Sequence, residues 1–494
     1  MDSNELRSVV IVGGGPAAWT AASVLSRALS AADVAVVVPD VSHTTPAAEA
    51  TLPTILGFHQ LQGLNEPEVL RQQKGSFRLG TRFQDWNEPG HRYINPIGAH
   101  GASIEFVAFH NYAVKARQNG EVRPFNEYSL VAMAGDRGRF SHPVNDPNSV
   151  LSTMRYALHL DAAAVARSFR QRAEAAGVTV INGSVASLQR HPDSGFIQTL
   201  NLDNGSSISG DLFVDCSGPG AVLMDALEEP WEDWSHWLPA NRSLRVISSG
   251  KPDPDPLTRI IGKDGGWLRQ VESSHQTEHR LVFCDAMLDE ESALATLSEA
   301  TGKVSDVLDQ RVQNRMRRQP WSGNCLALGA AAGGFEPLQM DELHLVHTGL
   351  MRFVGLLPDR SCHPALASQY NRVTRQECRN IRDFLVAHYR ATARDGEFWR
   401  QARASELPDS LAHKLDLFAV HGQVAFYEDE TFPEPSWVSL WLGQEQWPAG
   451  HDLVLDGYDF ERLRQRFDQM AELIQQAVAG MPTHGEYLQR FARA

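Results

Sequence analysis

The 494-residue chain predicts an α/β fold with a Rossmann-like start, a strand-rich middle and a mainly helical C-terminal part. Three observations predict it. The stretch SVVIVGGGPAAWTAASVLSRAL passes from a β-branched apolar run, through glycines, into an alanine-rich helical pattern. A second apolar run, DVAVVVPD at 33–40, follows at once and completes a strand–helix–strand unit. The last third carries apolar stripes at helical spacing.

The first turn holds the strongest local chemistry. Gly13, Gly15 and Ala18 form G-x-G-x-x-A between strand and helix. The first glycine allows the tight turn and the second lets a diphosphate approach the backbone. The small third residue lets helix and strand pack closely. The helix N-terminus then offers N–H donors to the phosphates. Asp40, at the end of the second strand, is the candidate acceptor for a ribose hydroxyl. The motif by itself leaves FAD and NAD open.

Further elements follow in order. Residues 161–176, DAAAVARSFRQRAEAA, predict a helix with Asp161 near its start and Gly177 as its stop. VTVINGSVASLQR and FIQTLNLDNGSSISGDLFVDCSG alternate as strands, with Asn204-Gly205 as a hairpin turn. CLALGAAAGGF predicts a strand, a small-residue turn and a helix entry. KPDPDPL at 251–257 is a loop. In FERLRQRFDQMAELIQQAVAGM, Phe460, Leu463, Phe467, Met470 and Ile474 form one core-facing stripe, ended by Gly480 and Pro482. The domain division expected is a nucleotide-binding module at 1–340, interleaved with substrate-region strands, and a helical subdomain at 341–494 packed on it.

Bulk properties exclude some functions. A net charge of −15 argues against a nucleic-acid or anionic-membrane binder. Five cysteines without C-x-x-C spacing suggest reduced, buried thiols rather than disulfides or a zinc site. No secretory leader pattern and no apolar run of ~18 residues stand in the sequence, so a cytoplasmic enzyme is expected. No metal site is expected.

Two later segments favour FAD. GDLFVDCSGPG (210–220) runs a strand into Asp-x-Ser-Gly, a pattern of two-lobed FAD-binding flavoproteins, and CLALGAAAGGFEP (325–337) could bring small residues against a flavin ring. Whole-chain motifs then resemble the flavin-dependent tryptophan halogenase family. VGGGPAAW, EATLP (49–53), GSFRLGTRFQDW (75–86), DLFVDCSG, NCLALG (324–329), FEPL (335–338) and PEPSW (433–437) are similar to its segments.

The resemblance implies an FAD-binding fold with a substrate sheet. It implies that a separate reductase supplies reduced FAD, which with dioxygen oxidises halide to hypohalous acid. That species passes to a lysine beside an aromatic substrate, assisted by a glutamate. Carried over by position, Gly13, Gly14, Gly15, Ala17 and Ala18 fall on the phosphate loop, Glu49 in the flavin-side loop, and Val185, Ala330 and Leu343 on positions lining FAD.

The chemical half departs from the family. Its lysine aligns with Arg78 and its glutamate with Gln339. The two residues whose backbone holds halide become Asp341 and Glu342. The W-x-W-x-I-P signature keeps only Trp267, and the H-x-F pair reads Asn95, Pro96, Ile97. Arginine stays protonated and glutamine carries no transferable proton. Monooxygenase-type chemistry on an aromatic or indole-like substrate, free or peptide-borne, is therefore expected, with Arg78 and Gln339 at the catalytic positions and halogenation lost. The alternative is a degenerate flavoprotein or scaffold partner of a paralogous halogenase. A homodimer is left open.

Several residues keep two readings. Arg78 either orients an oxyanion or is a surface or salt-bridging residue, and Arg82 and Lys74 could be solvated. Asp341 and Glu342 either repel an anion or form the first turn of the following helix. His344 and His347 read as packed side chains ahead of metal ligands. His159 and Asp161 read as helix-capping. Trp231, Trp234 and Trp237 either wall a substrate or fill the core.

Overall fold

The structure, a computed structural model, describes residues 4–39, 47–103, 106–120, 123–302 and 305–491. The chain divides into two compact units, each drawn from three stretches. The first comprises Met1–Gly75, Leu160–Ser235 and Val312–Cys378; the second Ser76–His159, His236–Arg311 and Arg379–Ala494.

The first unit is built on a six-stranded sheet. Its order is Trp321–Ser322, Cys325–Ala327, Leu212–Asp215, Ser8–Val12, Asp33–Val38, Thr179–Asn182. All neighbours are parallel except the short edge pair. The central strands are continuous apolar runs because a parallel sheet is covered on both faces. Val10, Val12, Val37, Leu200, Phe213, Leu223 and Met224 form one core cluster with Cys325 and Ala331.

The helix Pro16–Ala28 connects the first two strands and buries Ala17 through Leu25. Helix Ala162–Ala175 lies in the expected stretch. The Asp161 side chain caps it by accepting the Ala164 N–H at 2.6 Å, and Gly177 adopts a positive φ just past its end. The predicted hairpin forms as well: Ile197–Leu202 pairs antiparallel with Ser207–Ser209 across Asn204-Gly205.

One expectation fails. After Cys325–Ala327 the chain makes a short 3-10 turn, Gly329–Ala331, and a two-residue strand, Gly333–Gly334, rather than entering a helix. Gly329 stands at φ +63, a conformation that interrupts helix propagation. The helix comes later, at Leu343–Val354.

The second unit is built on a seven-stranded sheet, ordered Leu308–Arg311, Arg242–Ser249, Gln276–Phe283, Gly266–Glu272, Leu257–Lys263, Gly80–Gln84, Arg92–Pro96. One face packs Leu244, Val246, Leu268, Leu281 and Phe283 against Ala293 and Leu297 of helix Glu290–Thr301. Strand alternation therefore sends Arg245, Glu278, Arg280, Trp267, Arg269, Thr258 and Thr81 to the opposite face.

C-terminal helices from Arg379 onward belong to this unit. In helix Phe460–Gly480, Leu463, Phe467 and Ile474 are buried as the stripe predicts, joined by Ala471 and Val478; Phe460 and Met470 are half-buried at its margin. Among the described residues no helix is long and apolar enough to cross a membrane.

Candidate functional site

The carboxyl ends of three adjacent parallel strands converge in the first unit. Ser8–Val12 leads into Gly13, Leu212–Asp215 into Cys216, and Cys325–Ala327 into the Gly329–Ala331 turn. Ligands of open α/β sheets bind at such an end. Successive backbone bonds lock it: Gly13 N–H to Val37 O at 2.9 Å, Cys216 N–H to Val12 O at 2.8 Å, Leu328 N–H to Asp215 O at 2.9 Å.

Gly13 stands at φ +140. A Cβ there would overlap the Cys216 carbonyl oxygen and lie 2.7 Å from the carbonyl carbon. Gly15 differs: an added Cβ would meet nothing within 4 Å. Its bare face opens on free space, and the first turn of the following helix carries no acidic side chain. This cradle fits a dinucleotide's diphosphate. Ala17 and Ala18 are buried in that first turn, and the Trp19 Nε1–H donates to Gly14 O at 3.0 Å. Asp40 lies outside the described residues.

Asp215 has a role the sequence pattern did not reveal. Fully buried, it accepts the Ser217 N–H and hydroxyl on one oxygen and the Leu223 and Met224 N–H groups on the other. Burial still pushes its carboxyl above the usual range, against those bonds. It shapes the Cys-Ser-Gly-Pro turn and starts the short helix Val222–Ala226. The advance signal was the Asp-x-Ser-Gly pattern closing an apolar strand, whose serine is one of the bonded partners.

The Gln339-Met340-Asp341-Glu342 segment lies in this same unit. Gln339 and Met340 are buried at 5% and 6% exposure. The Asp341 carboxylate accepts the Ala50 N–H at 2.7 Å, next to Glu49. The Glu342 carboxylate accepts the Ala330 N–H at 2.8 Å. Glu342 does start the helix Leu343–Val354, but as an N-cap in helical geometry whose side chain caps nothing. Both carboxylates are thus directed to backbone N–H groups outside their own helix, Ala50 at the end of strand Ala48–Ala50 and Ala330 in the 3-10 turn. Leu343 is buried, Ala330 half-buried in its 3-10 turn, and Val185 half-buried in strand Val185–Arg190, packed on the sheet's core cluster.

Arg78 belongs to the second unit and is 2% exposed, which removes the surface reading. Its Nε donates to Thr258 Oγ1 at 3.2 Å and its Nη2 to Thr81 Oγ1 at 2.9 Å. Thr258 Oγ1 also lies 2.8 Å from His159 Nε2. Burial, then the Arg78 and Arg269 charges, hold His159 far below its ordinary pKa. The threonine hydroxyl thus accepts from Arg78 and shares a hydrogen bond with the neutral ring. His159 therefore anchors this chain rather than capping a helix. Thr81, three residues after Arg78, was the signal available in the sequence. Arg82 is also no solvated side chain; it pairs with Asp255 at 2.7 Å.

The remaining candidates separate cleanly. His344 is buried between Thr54 Oγ1 at 3.2 Å and Glu377 at 3.3 Å, and His347 stacks on Phe58 with ring centroids 4.0 Å apart. No metal-ligating cluster occurs among the described residues. Trp234 is a core residue stacked on Phe335, Trp231 is held by the Arg315 and Arg317 guanidiniums over its ring, and Trp237 carries Arg382. Trp267 is fully buried and donates to the Tyr389 hydroxyl at 2.8 Å. Asn95, on the same sheet, donates to Ser436 O at 3.1 Å.

Comparison with known proteins places these features in context. The sequence profile described as tryptophan halogenase matches residues 8–459. Tryptophan 6-halogenase SttH of Streptomyces toxytricini is 28% identical over 479 residues, 90% of each chain. Among solved structures, BrvH, a flavin-dependent halogenase from Brevundimonas sp. BAL3, is similar at 34% identity and TM-score 0.94, over 99% of this chain and 100% of its own. A flavin-dependent halogenase from Xanthomonas campestris is similar at 34% identity and TM-score 0.94, over 99% and 98%.

Proposed function

Because the chain belongs to the tryptophan halogenase family, we propose that it is a flavin-dependent oxidoreductase that oxygenates an aromatic, indole-like substrate, free or peptide-borne, without a halide step. A separate reductase would supply the reduced FAD. The observation that carries this reading is the direction of Asp341 and Glu342. Their carboxylates already bond the Ala50 and Ala330 N–H groups. Fixed carboxylates on the segment that aligns with the family's halide site repel a halide.

Gly13, Gly14, Gly15, Ala17 and Ala18 would hold the coenzyme's diphosphate. Glu49, Val185, Ala330 and Leu343 would border the rest of it. When bound, reduced FAD supplies the electrons that activate dioxygen. Arg78, held by two threonine hydroxyls, offers a fixed cation to a developing oxyanion and keeps its proton. Gln339 both donates and accepts hydrogen bonds and so can orient a substrate, but it shuttles no proton.

The test supplies photoreduced FAD, isotopically labelled dioxygen, bromide and an indole, and follows products by mass spectrometry. Label in the product without bromination supports the proposal; bromide-dependent product overturns it. A second reading follows from the absence of a transferable proton at both Arg78 and Gln339: a flavin-binding scaffold for an active halogenase. FAD uptake with no substrate-dependent oxygen consumption would favour that reading.

A further inference from the structure

A recess of about 680 Å³ lies wholly within the first unit, in the size range of small-molecule sites. Gly323 lines it, in the turn from the edge strand Trp321–Ser322 into Cys325–Ala327. That turn stands at the amino end of the parallel strands, and the glycine cradle stands at their carboxyl end. One wall is a helix face. Pro364, Ala367, Asn371 and Arg375 recur at helical spacing along helix Pro364–Ala391 and line the recess together. The Asn371 amide ties this wall to the sheet edge: it accepts the Trp321 N–H at 2.9 Å and donates to Trp321 O at 2.8 Å. The Trp321 indole N–H is spent on Gly323 O at 3.0 Å. The half-buried Phe196 ring lies 3.2 Å from where a Gly323 Cβ would stand.

Charge sets the recess apart. The chain carries −15 overall, yet none of the residues lining the recess is acidic and two are arginines, Arg318 and Arg375. Neither guanidinium makes a hydrogen bond or an ion pair among the described residues. Arg375 is half-buried, where an unpaired charge is costly. The flanking Asp359 carboxylate is held elsewhere, by the Ser361 N–H at 2.9 Å and the Asn4 amide at 2.6 Å.

We propose that this recess binds a phosphorylated aromatic small molecule of the nucleoside diphosphate class. Two cations from different elements match two phosphate groups, which guanidinium forks hold by charge-assisted hydrogen bonds. The base stacks on the Phe196 ring. The bound phosphates supply the counter-charge that the two arginines lack within the chain. Because the recess and the glycine cradle stand at opposite ends of the sheet, the proposal is independent of the FAD reading.

The experiment is titration calorimetry of the full chain with ADP at low ionic strength, repeated with adenosine and with pyrophosphate. ADP should bind, and adenosine and pyrophosphate should each bind at least about tenfold more weakly. Arg318→Gln and Arg375→Gln should each weaken ADP about tenfold, and Phe196→Ala at least about fivefold. All three should keep wild-type affinity for FAD. ADP is also a fragment of FAD, so Gly15→Ala, which fills the open face of the cradle, serves as the control and should retain this ADP site. ADP binding lost in Gly15→Ala but kept in the two arginine variants places ADP in the cradle and overturns the proposal. Adenosine or pyrophosphate binding as tightly as ADP overturns it, as does no ADP binding to the wild-type chain. Each of these results leaves the FAD titration to be judged on its own.

Discussion

Two glycines separated by one residue should fail in opposite ways when given a methyl group. Gly13→Ala places a Cβ into the Cys216 carbonyl, 2.7 Å from its carbon, at φ +140. That conformation costs an L-residue about 1–3 kcal/mol, and displacing a packed strand end costs a further ~1–3 kcal/mol. Neither cost can be relaxed cheaply, because the obstructing atoms are backbone of a buried parallel strand whose Cys216 N–H is bonded to Val12. Gly15→Ala meets nothing within 4 Å, and its φ of −89 suits alanine. Scanning fluorimetry without ligand should show Gly13→Ala melting several degrees below wild type, at roughly 2–4 °C per kcal/mol for a unit of this size. Gly15→Ala should melt close to wild type. A FAD titration should then show Gly15→Ala binding at least about tenfold more weakly, since its methyl fills the space through which a phosphate approaches the backbone. Equal melting losses in the two variants would show that the strand contact does not set the Gly13 requirement. Wild-type FAD affinity in Gly15→Ala would show that the open face is not the phosphate site.

Other outcomes follow from the same geometry. Asp161→Ala should lose the cap on Ala164 and about 1 kcal/mol of stability, read from the urea midpoint, with Asp161→Asn closer to wild type; equal losses would reject the cap. Stability should fall on acidification through the histidine range: burial holds His59 down at about 4, against a small opposing pull from Glu66. The unfolded chain therefore binds more protons between its own pKa of about 6.5 and pH 4, and the stabilisation present above that window, on the order of 3 kcal/mol for this ring, is lost across it. A melting midpoint flat over that window would refute it. Arg78→Lys combined with Gln339→Glu should yield no brominated indole by mass spectrometry, because the Asp341 and Glu342 carboxylates still stand on the segment that aligns with the family's halide site; a brominated product would show that the acidic segment does not block halide.

What the sequence disclosed about the fold was mostly backbone demand. The Asp161 cap and the Asn204-Gly205 turn are satisfied by neighbours a few residues away, and the glycine loop and the stripe through Leu463, Phe467 and Ile474 show as local spacing although their partners, Cys216 for Gly13 and Phe109 for Phe467, are distant. The misplaced helix after Cys325–Ala327 shows the limit. Small residues such as Gly-Ala-Ala-Ala-Gly-Gly accept helix, 3-10 turn or strand alike. Contacts remote in sequence decided among them: the Gly333–Gly334 strand pairs with Arg315-Met316, and Gly329 makes room for Glu342.

The candidate site was legible in the same uneven way. A phosphate loop is recognisable because a diphosphate is bound by backbone shape, and backbone shape constrains residue type strongly at Gly13 and Gly15. The segments bearing Arg78 and Gln339 could be located by their neighbours, but what Arg78 does depends on a partner from a distant strand, Thr258. The same applies to Asp341 and Glu342. Sequence offered two readings for them, anion repulsion or a helix start, and the structure shows why both were incomplete. A carboxylate that merely began a helix would point at that helix's own N–H groups. These two point instead at Ala50, in strand Ala48–Ala50, and at Ala330, in the turn that follows Cys325–Ala327, so an anion arriving at that turn must contend with the Glu342 charge.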